Sequence, residues 1–219
     1  MAKRVQLRIC GVVSYQEGLE LQKQARQEVA NGACDGILLL LQHLPVITMG
    51  RSGGRENLRS SAQALQDAGV DLFESERGGN ITCHNPGQIV GYPVMNLSSW
   101  QEDAHWYVRQ LEEVLIETLK EFGIVAGRKA RYTGVWVGNH KIAAIGVSIR
   151  HWITGHGFAL NVSNDLSLFQ SIVPCGIGEF GVIRLQELSA GTEFNLVQKL
   201  IIKHFGEVFG AELEVAQEE

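Results

Sequence analysis

The sequence predicts an α+β fold in which a mixed β-sheet is flanked by helices. Segments of strand character outnumber helical ones, and the longest β region, 134–162, is broken only by short turns. Two long segments, 103–122 and 193–209, carry apolar residues at helical spacing. Strands joined by tight turns run antiparallel, so a doubly wound parallel sheet is not expected.

The elements follow in order. Val5 to Val13 partly alternates and reads as a strand. Ser14 with Glu17 three residues later forms a capping-box signal, and the helix that follows runs to Asn31-Gly32. Ile37 to Gln42 is an apolar run of strand length, with a second short strand at Val46 to Met49. Gly50 to Glu56 reads as a loop and Ser61 to Ala68 as a short helix. Arg77 to Gln88, punctuated by Gly and Asn, leads into a strand at Val90 to Leu97. In the helix from Asp103 to Phe122, Val108, Leu111, Leu115, Thr118 and Phe122 share one face, and Gly123 ends it. Gly134 to Val162 is β throughout, with a turn at Gly138-Asn139. The last helix, Glu193 to Phe209, is expected to turn Leu196, Leu200 and Ile201 inward, before a short strand at Glu212 to Val215.

A chain of 219 residues is expected to form one domain spanning 1–219. Hydrophobic residues make up 45% of it, enough for a substantial core, yet no apolar run approaches a membrane span. The N-terminus lacks the apolar stretch and cleavage site of a signal peptide, so a cytoplasmic protein is expected. Cysteines at 10, 34, 83 and 175 form no CxxC pair, and the seven histidines form no HExxH, so neither a disulfide framework nor a metal is expected. A net charge of −5 disfavours nucleic acid as a partner. Between Phe122 and Asn164 there is no acidic residue, whereas Arg128, Lys129, Arg131, Lys141 and Arg150 all fall there. That stretch could receive an acidic partner, or be an ordinary solvated strand surface.

Four segments could carry chemistry. In Pro174-Cys175-Gly176-Ile177 the thiol lies between a fixed and a permissive backbone, which suits an exposed nucleophile; the alternative is a small buried hydrophobe. A free thiol is only slightly ionised at neutral pH, so a nucleophilic cysteine needs a nearby cation or base. Lys141 opens an apolar strand of small residues; an ammonium ~4 Å from sulfur would contribute roughly 4 kcal/mol at an effective dielectric of 20. Its alternative is a strand-edge lysine. Arg77, Gly78, Gly79, Asn80, Ile81, Thr82, Cys83 and His84 open a glycine-containing segment whose amides could meet a carbonyl or phosphate, or which is a structural turn. No nucleotide-loop pattern is present. In the segment from Gly155 to Asn161, glycines inside a strand imply a close ligand or neighbouring backbone, and His156 offers a Cys–His hydrolase arrangement with Cys175.

Taken in order, these segments resemble the octanoyl-[acyl carrier protein]–protein N-octanoyltransferases, the lipoate–protein ligase B family. The resemblance runs over about residues 5–210. It rests on MGRSG at 49–53, RGGxxTxH at 77–84, PGQ at 86–88, GYP at 91–93 and Gly134-Val135-Trp136. It continues through KIAAIGV from Lys141, HGFALN from His156, Asp165-Leu166 with Phe169, and the PCGI turn. The resemblance implies a biotin/lipoate–protein ligase-like fold, with Cys175 as the nucleophile that carries an acyl thioester and Lys141 lowering its pKa. It further implies substrate contacts at residues 77–84, at Ala144, Ile145 and Gly146, and at Gly157, Phe158 and Ala159. The implied partners are acyl carrier protein as donor, and as acceptors the lipoyl domains of 2-oxoacid dehydrogenase complexes and the glycine cleavage H protein. No cofactor is implied, because the donor is already activated.

Two positions depart from the family pattern. Cys83 stands where an aromatic residue is usual, and Asn85 where glycine is usual. The first is expected to widen the pocket and to bring a second thiol near the site, able to link oxidatively to Cys175. The second is expected to keep the loop shape through Asn's tolerance of a left-handed backbone.

Overall fold

The computed structural model describes residues 3–173 and 180–215. The strands are β1 (Lys3–Val13), β2 (Gly36–His43), β3 (Val46–Met49), β4 (Asp71–Glu74), β5 (Ile81–His84), β6 (Gln88–Met95), β7 (Gly127–Lys129), β8 (Tyr132–Val137), β9 (His140–Arg150), β10 (Ile153–Asn161), β11 (Gly181–Val182) and β12 (Ala211–Val215). The helices are α1 (Tyr15–Ala30), α2 (Ala62–Asp67), α3 (Ala104–Lys120), α4 (Leu185–Leu188) and α5 (Phe194–Phe209). The main sheet has the order β12-β1-β2-β6-β10-β9-β8-β7, with β11 added to β9; a smaller sheet has the order β4-β3-β5. Parallel pairs (β1 with β12 and β2, β11 with β9) coexist with antiparallel ones, so the sheet is mixed as expected.

Local chemistry explains the strongest elements. The side chain of Ser14 accepts the Glu17 amide while Glu17 reaches back to the Ser14 amide, a complete capping box for α1. Asp103 caps α3 by accepting the amides of His105 and Trp106. In β2 every residue from Gly36 to Leu41 is buried because both sheet faces are covered. Leu38 and Leu40 face the core under α3 and α5, whereas Ile37, Leu39 and Leu41 face Ala25 and Val29 of α1. A third cluster, around Ile47, Ile81, Cys83 and Phe169, holds the small sheet together. No helix among the described residues is long and apolar enough to cross a membrane.

Several expectations need correction. The segment from Arg77 to Gln88 contains a strand, β5, paired antiparallel with β3. In α5, Leu196 is 46% exposed; the inward stripe is Val197, Ile201, Phe205 and Phe209, four residues apart. Asn85 is not left-handed; that conformation belongs to Gly87, while Asn85 donates to the Asp165 carbonyl. Part of the acid-free stretch is engaged within the protein: Arg128 pairs with Glu112 and Glu113, Lys129 lies over the ring of Phe180 at 3.9 Å, and Lys141 is buried, whereas Arg131 and Arg150 are exposed.

Gly91 shows how the sheet shapes the site. It pairs with Phe158 across β6 and β10, and a Cβ there would overlap the phenyl ring. Phe158 also lines the cavity described below. Gly91→Ala is therefore expected to cost about 1–3 kcal/mol by overpacking and to push the ring into the cavity. Urea unfolding would measure the first effect and substrate KM the second.

Candidate active site

An elongated cavity of about 390 Å³ lies between the main sheet and the small one, within the size range of small-molecule sites. Its floor is the β9–β10 pair, where Ala144, Ile145 and Gly146 lie beside Gly157, Phe158 and Ala159. Its roof is Gly79 and Asn80 with Ile81, Thr82 and His84 of β5; Arg77, Tyr15 and Tyr92 also line it. Lys141, Tyr132 and Thr133 mark one end. His156 marks the other, since it pairs with Val147, six residues further along β9, or about 20 Å at the rise of a strand.

The roof is fixed by Arg77. Its guanidinium is buried and donates to Thr48 O (2.6 Å), Thr48 Oγ1 (2.9 Å) and Gly78 O (3.1 Å). The next amide, Gly78 N–H, donates to Val147 O of β9 at 2.8 Å. A Cβ at Gly146 would stand 2.7 Å from Gly78 O, so glycine is what lets the loop lie directly on the floor strand. Gly155 and Gly157 answer to neighbours in the protein: the first lies beneath the Arg26 guanidinium, the second against Gly91 O.

Lys141 is 9% exposed. Its Nζ donates to Thr133 O at 3.1 Å and lies 4.8 Å from the centre of the Trp136 ring. Cys175 lies outside the described residues. Its flanks are anchored beside the cavity: Val173 N–H donates to Asn57 O at 2.7 Å, and Val182 pairs with Lys141 itself. Phe180 packs edge-on against Tyr132 and Trp136, each at 5.3 Å between ring centres.

A polar chain ties the roof to the floor. Gln88 Nε2 donates to Cys83 O and Asn161 Oδ1, which turns Gln88 Oε1 toward His84 Nδ1 at 2.7 Å. Because Oε1 only accepts, the His84 proton is on Nδ1 and Nε2 keeps its lone pair. His43 is set likewise: Nδ1–H donates to Val13 O, so the Tyr92 hydroxyl donates to Nε2 at 2.7 Å. His156 has a left-handed φ of 55°, donates its amide to Gln22, and leaves Nδ1 buried without a hydrogen-bond partner among the described residues. Burial holds these imidazoles neutral, lowering His43 to about 4 and both His84 and His156 to about 3. His156 is thus a poor base at neutral pH, which weighs against it as the activating base of a cysteine.

The family of the chain follows from comparison with known proteins. The model of the lipoyl protein ligase A/B catalytic domain matches residues 14–206. The octanoyltransferase of Clostridium kluyveri is 52% identical over 202 residues, covering 92% of this chain and 87% of that one. That of Gloeobacter violaceus is 42% identical over 205 residues, covering 93% and 90%. The chain belongs to the octanoyltransferase family. Among solved structures, a lipoate-protein ligase A bound with ATP superposes with a TM-score of 0.76 at 17% identity, over all of this chain and 90% of that one. The biotin protein ligase of Aquifex aeolicus does so with a TM-score of 0.53 at 14% identity, over 96% and 70%. At these identities the likeness shows a shared fold, that of the lipoate and biotin ligases.

Set against the family motifs, the cavity gathers Arg77, Gly79, Asn80, Ile81, Thr82, His84, Lys141, Ala144, Ile145, Gly146, Gly157, Phe158 and Ala159. Gly78 and Cys83 do not line it. Cys83 faces the third cluster, fully buried, with its thiol on Leu168 O at 3.6 Å and its pKa pushed up by burial. The pocket is therefore not widened by a missing aromatic wall at 83, and no thiol is presented to it from there. Sequence reasoning did not assign Tyr15, Tyr92, Thr133 and Val182 as lining residues, although Tyr92 falls in the GYP motif. Tyr15, Thr133 and Val182 carry no local signal; only the pairing of distant strands brings them to the cavity.

The buried imidazoles set the acid sensitivity of the fold. In the unfolded chain histidine titrates near 6.5. As pH falls from about 6.5 to about 4, the unfolded chain therefore binds protons that the native cavity refuses, and stability drops by up to ~1.4 kcal/mol per pH unit for each such group. Urea unfolding between pH 7 and 4.5 should show this slope. His156→Asn, which tolerates the left-handed backbone, should reduce it; an unchanged slope would contradict the assignment.

Proposed function

We propose that the protein transfers an octanoyl group from acyl carrier protein to a lysine of a lipoyl domain, through a thioester on Cys175 and with Lys141 as the proton carrier. The observation that carries this reading is a long, largely apolar slot with a buried amine at one end, the strand after the 174–179 segment pairing with that amine's own residue. Membership of the octanoyltransferase family supports the chemistry. One structural neighbour, a bi-partite lipoate protein ligase from Thermoplasma acidophilum described with its E2 lipoyl domain, supports the acceptor class (TM-score 0.76, 16% identity, 100% of this chain and 88% of that one).

In the first half-reaction the Cys175 thiolate, whose proton is held by Lys141 as an ammonium, attacks the carbonyl carbon of the donor thioester. Backbone amides of the glycine segments stabilise the oxyanion; that of Gly78 is already committed to Val147 O, which leaves the task to the others. As the tetrahedral adduct collapses, the bond to the carrier sulfur breaks and that sulfur takes the proton from Lys141. In the second half-reaction the acceptor amine attacks the acyl-enzyme, Lys141 takes a proton from the attacking nitrogen, and the Cys175 sulfur leaves. The product is an amide. The donor thioester supplies the activation, so the proposal calls for neither ATP nor metal.

Intact-protein mass spectrometry after mixing with octanoyl-acyl carrier protein tests this directly. The wild type should gain one octanoyl group that hydroxylamine removes, Cys175→Ala should gain none, and Lys141→Met should acylate about 100-fold or more slowly. Product formation from free octanoate and ATP, with no adduct from the carrier thioester, would instead identify an ATP-dependent ligase on the same fold.

A further inference from the structure

Glu112 of α3 is a charged residue only 2% exposed, and the proposed chemistry gives it no role. Its Oε2 accepts from Arg109 Nη1 (2.8 Å) and Arg128 Nε (3.0 Å), and its Oε1 accepts the backbone N–H of Gly134 (3.1 Å). The carbonyl of that same peptide unit is Thr133 O, the acceptor of Lys141 Nζ. A trans peptide sends its N–H and C=O in opposite directions, and no cis peptide is present among the described residues. One peptide plane is therefore held between a buried carboxylate and an ammonium at the cavity wall. Each partner strengthens the other's bond, because a carboxylate on the N–H side raises the electron density on the carbonyl oxygen.

The surrounding backbone fits this arrangement. Gly134 has φ 122°, and a Cβ there would stand 2.5 Å from Ala143 O and 3.5 Å from Lys141 Cε. The β8–β9 register slips between Val135 and Trp136, and such irregularities re-aim side chains. The slip falls at the point where Lys141 folds back over Gly134 to reach Thr133.

We propose that Glu112 is a positioning residue: acting through the Thr133–Gly134 peptide, it fixes where the Lys141 ammonium stands in the cavity. The proposal rests on the functional reading above, in which Lys141 carries the proton. The two arginines balance the carboxylate's charge from α3 and β7, so the helix and the sheet edge are held to the same point that orients Lys141.

The test compares Glu112→Ala, which removes the acceptor, with Glu112→Gln, which keeps an oxygen for the Gly134 amide. The first readout needs no substrate: the ε-carbon resonance of Lys141 in 13C-lysine-labelled protein, assigned with Lys141→Arg. It should move in Glu112→Ala and return toward the wild-type position in Glu112→Gln. In the transfer assay kcat should fall about 10- to 100-fold in the alanine variant, the scale of a misplaced catalytic group. The KM for octanoyl-acyl carrier protein should stay unchanged, and the glutamine variant should recover most of kcat. If Glu112→Ala fails to fold, Glu112→Asp, which withdraws the oxygen by one methylene, should move the resonance in the same direction with a smaller loss of kcat. A resonance that moves while kcat holds supports the positioning and overturns the proton-carrying role of Lys141 instead. A resonance that superimposes in all variants, with only the melting temperature lowered, makes Glu112 a structural brace and overturns the inference.

Discussion

The buried guanidinium of Arg77 is the contact on which the rest of the site depends. It binds the backbone and hydroxyl of Thr48 in the small sheet, and through its own carbonyl neighbour it rigidifies the Gly78 turn that docks on Val147. Two sheets with separate cores are thereby held at a fixed spacing, and the cavity is the space left between them. Hydrogen bonds from a charged donor contribute about 1.5–3 kcal/mol each, so this staple outweighs the exposed ion pairs elsewhere on the surface, which contribute about 0–1 kcal/mol. A residue first read as a substrate contact thus turns out to build the wall as well as to line it.

The two ends of the cavity differ in their lining. Toward His156 the lining is aromatic and imidazole in character, with Tyr92 edge-on to His156 and each imidazole kept uncharged by burial. Toward Lys141 the surroundings supply a carbonyl acceptor, Thr133 O, and the face of Trp136 at 4.8 Å from Nζ. An acyl chain has its only polar group at one end, and a largely apolar slot with the Lys141 amine at one end suits such a molecule. The difference follows from strand register: β9 carries Lys141 and Val147 six residues apart, with His156 of β10 opposite Val147 and Trp136 of β8 and Val182 of β11 opposite Lys141.

How much of this was legible in the sequence depended on the range of the interactions involved. The capping box at Ser14 and Glu17 is local, and so is the apolar run at Ile37 to Leu41; both were readable. β5 was hidden because Gly78, Gly79, Asn80 and Asn85 mark turns around it, whereas pairing with β3 decides its conformation. The two residues of β11 exist as a strand only because His140 and Lys141 lie beside them. Arg128 looked like a docking cation, but it is paired with the buried Glu112, whose other oxygen accepts the Gly134 amide, groups brought near only by folding. Among the site residues within the described chain, all but Gly78 and Cys83 line one cavity; the direction of Cys83 depended on strand alternation that no motif reveals.

The central claim is that the space between the two sheets holds the acyl chain with its carbonyl beside Lys141. A crystal structure with a non-hydrolysable octanoyl-pantetheine thioether tests it most directly. The account expects the eight-carbon chain to run between Ala144–Gly146 and Gly157–Ala159, its methyl end toward His156 and Tyr92 and its thioether sulfur within reach of Lys141 Nζ. A chain bound outside this cavity, or lying with its sulfur at the His156 end, would contradict it.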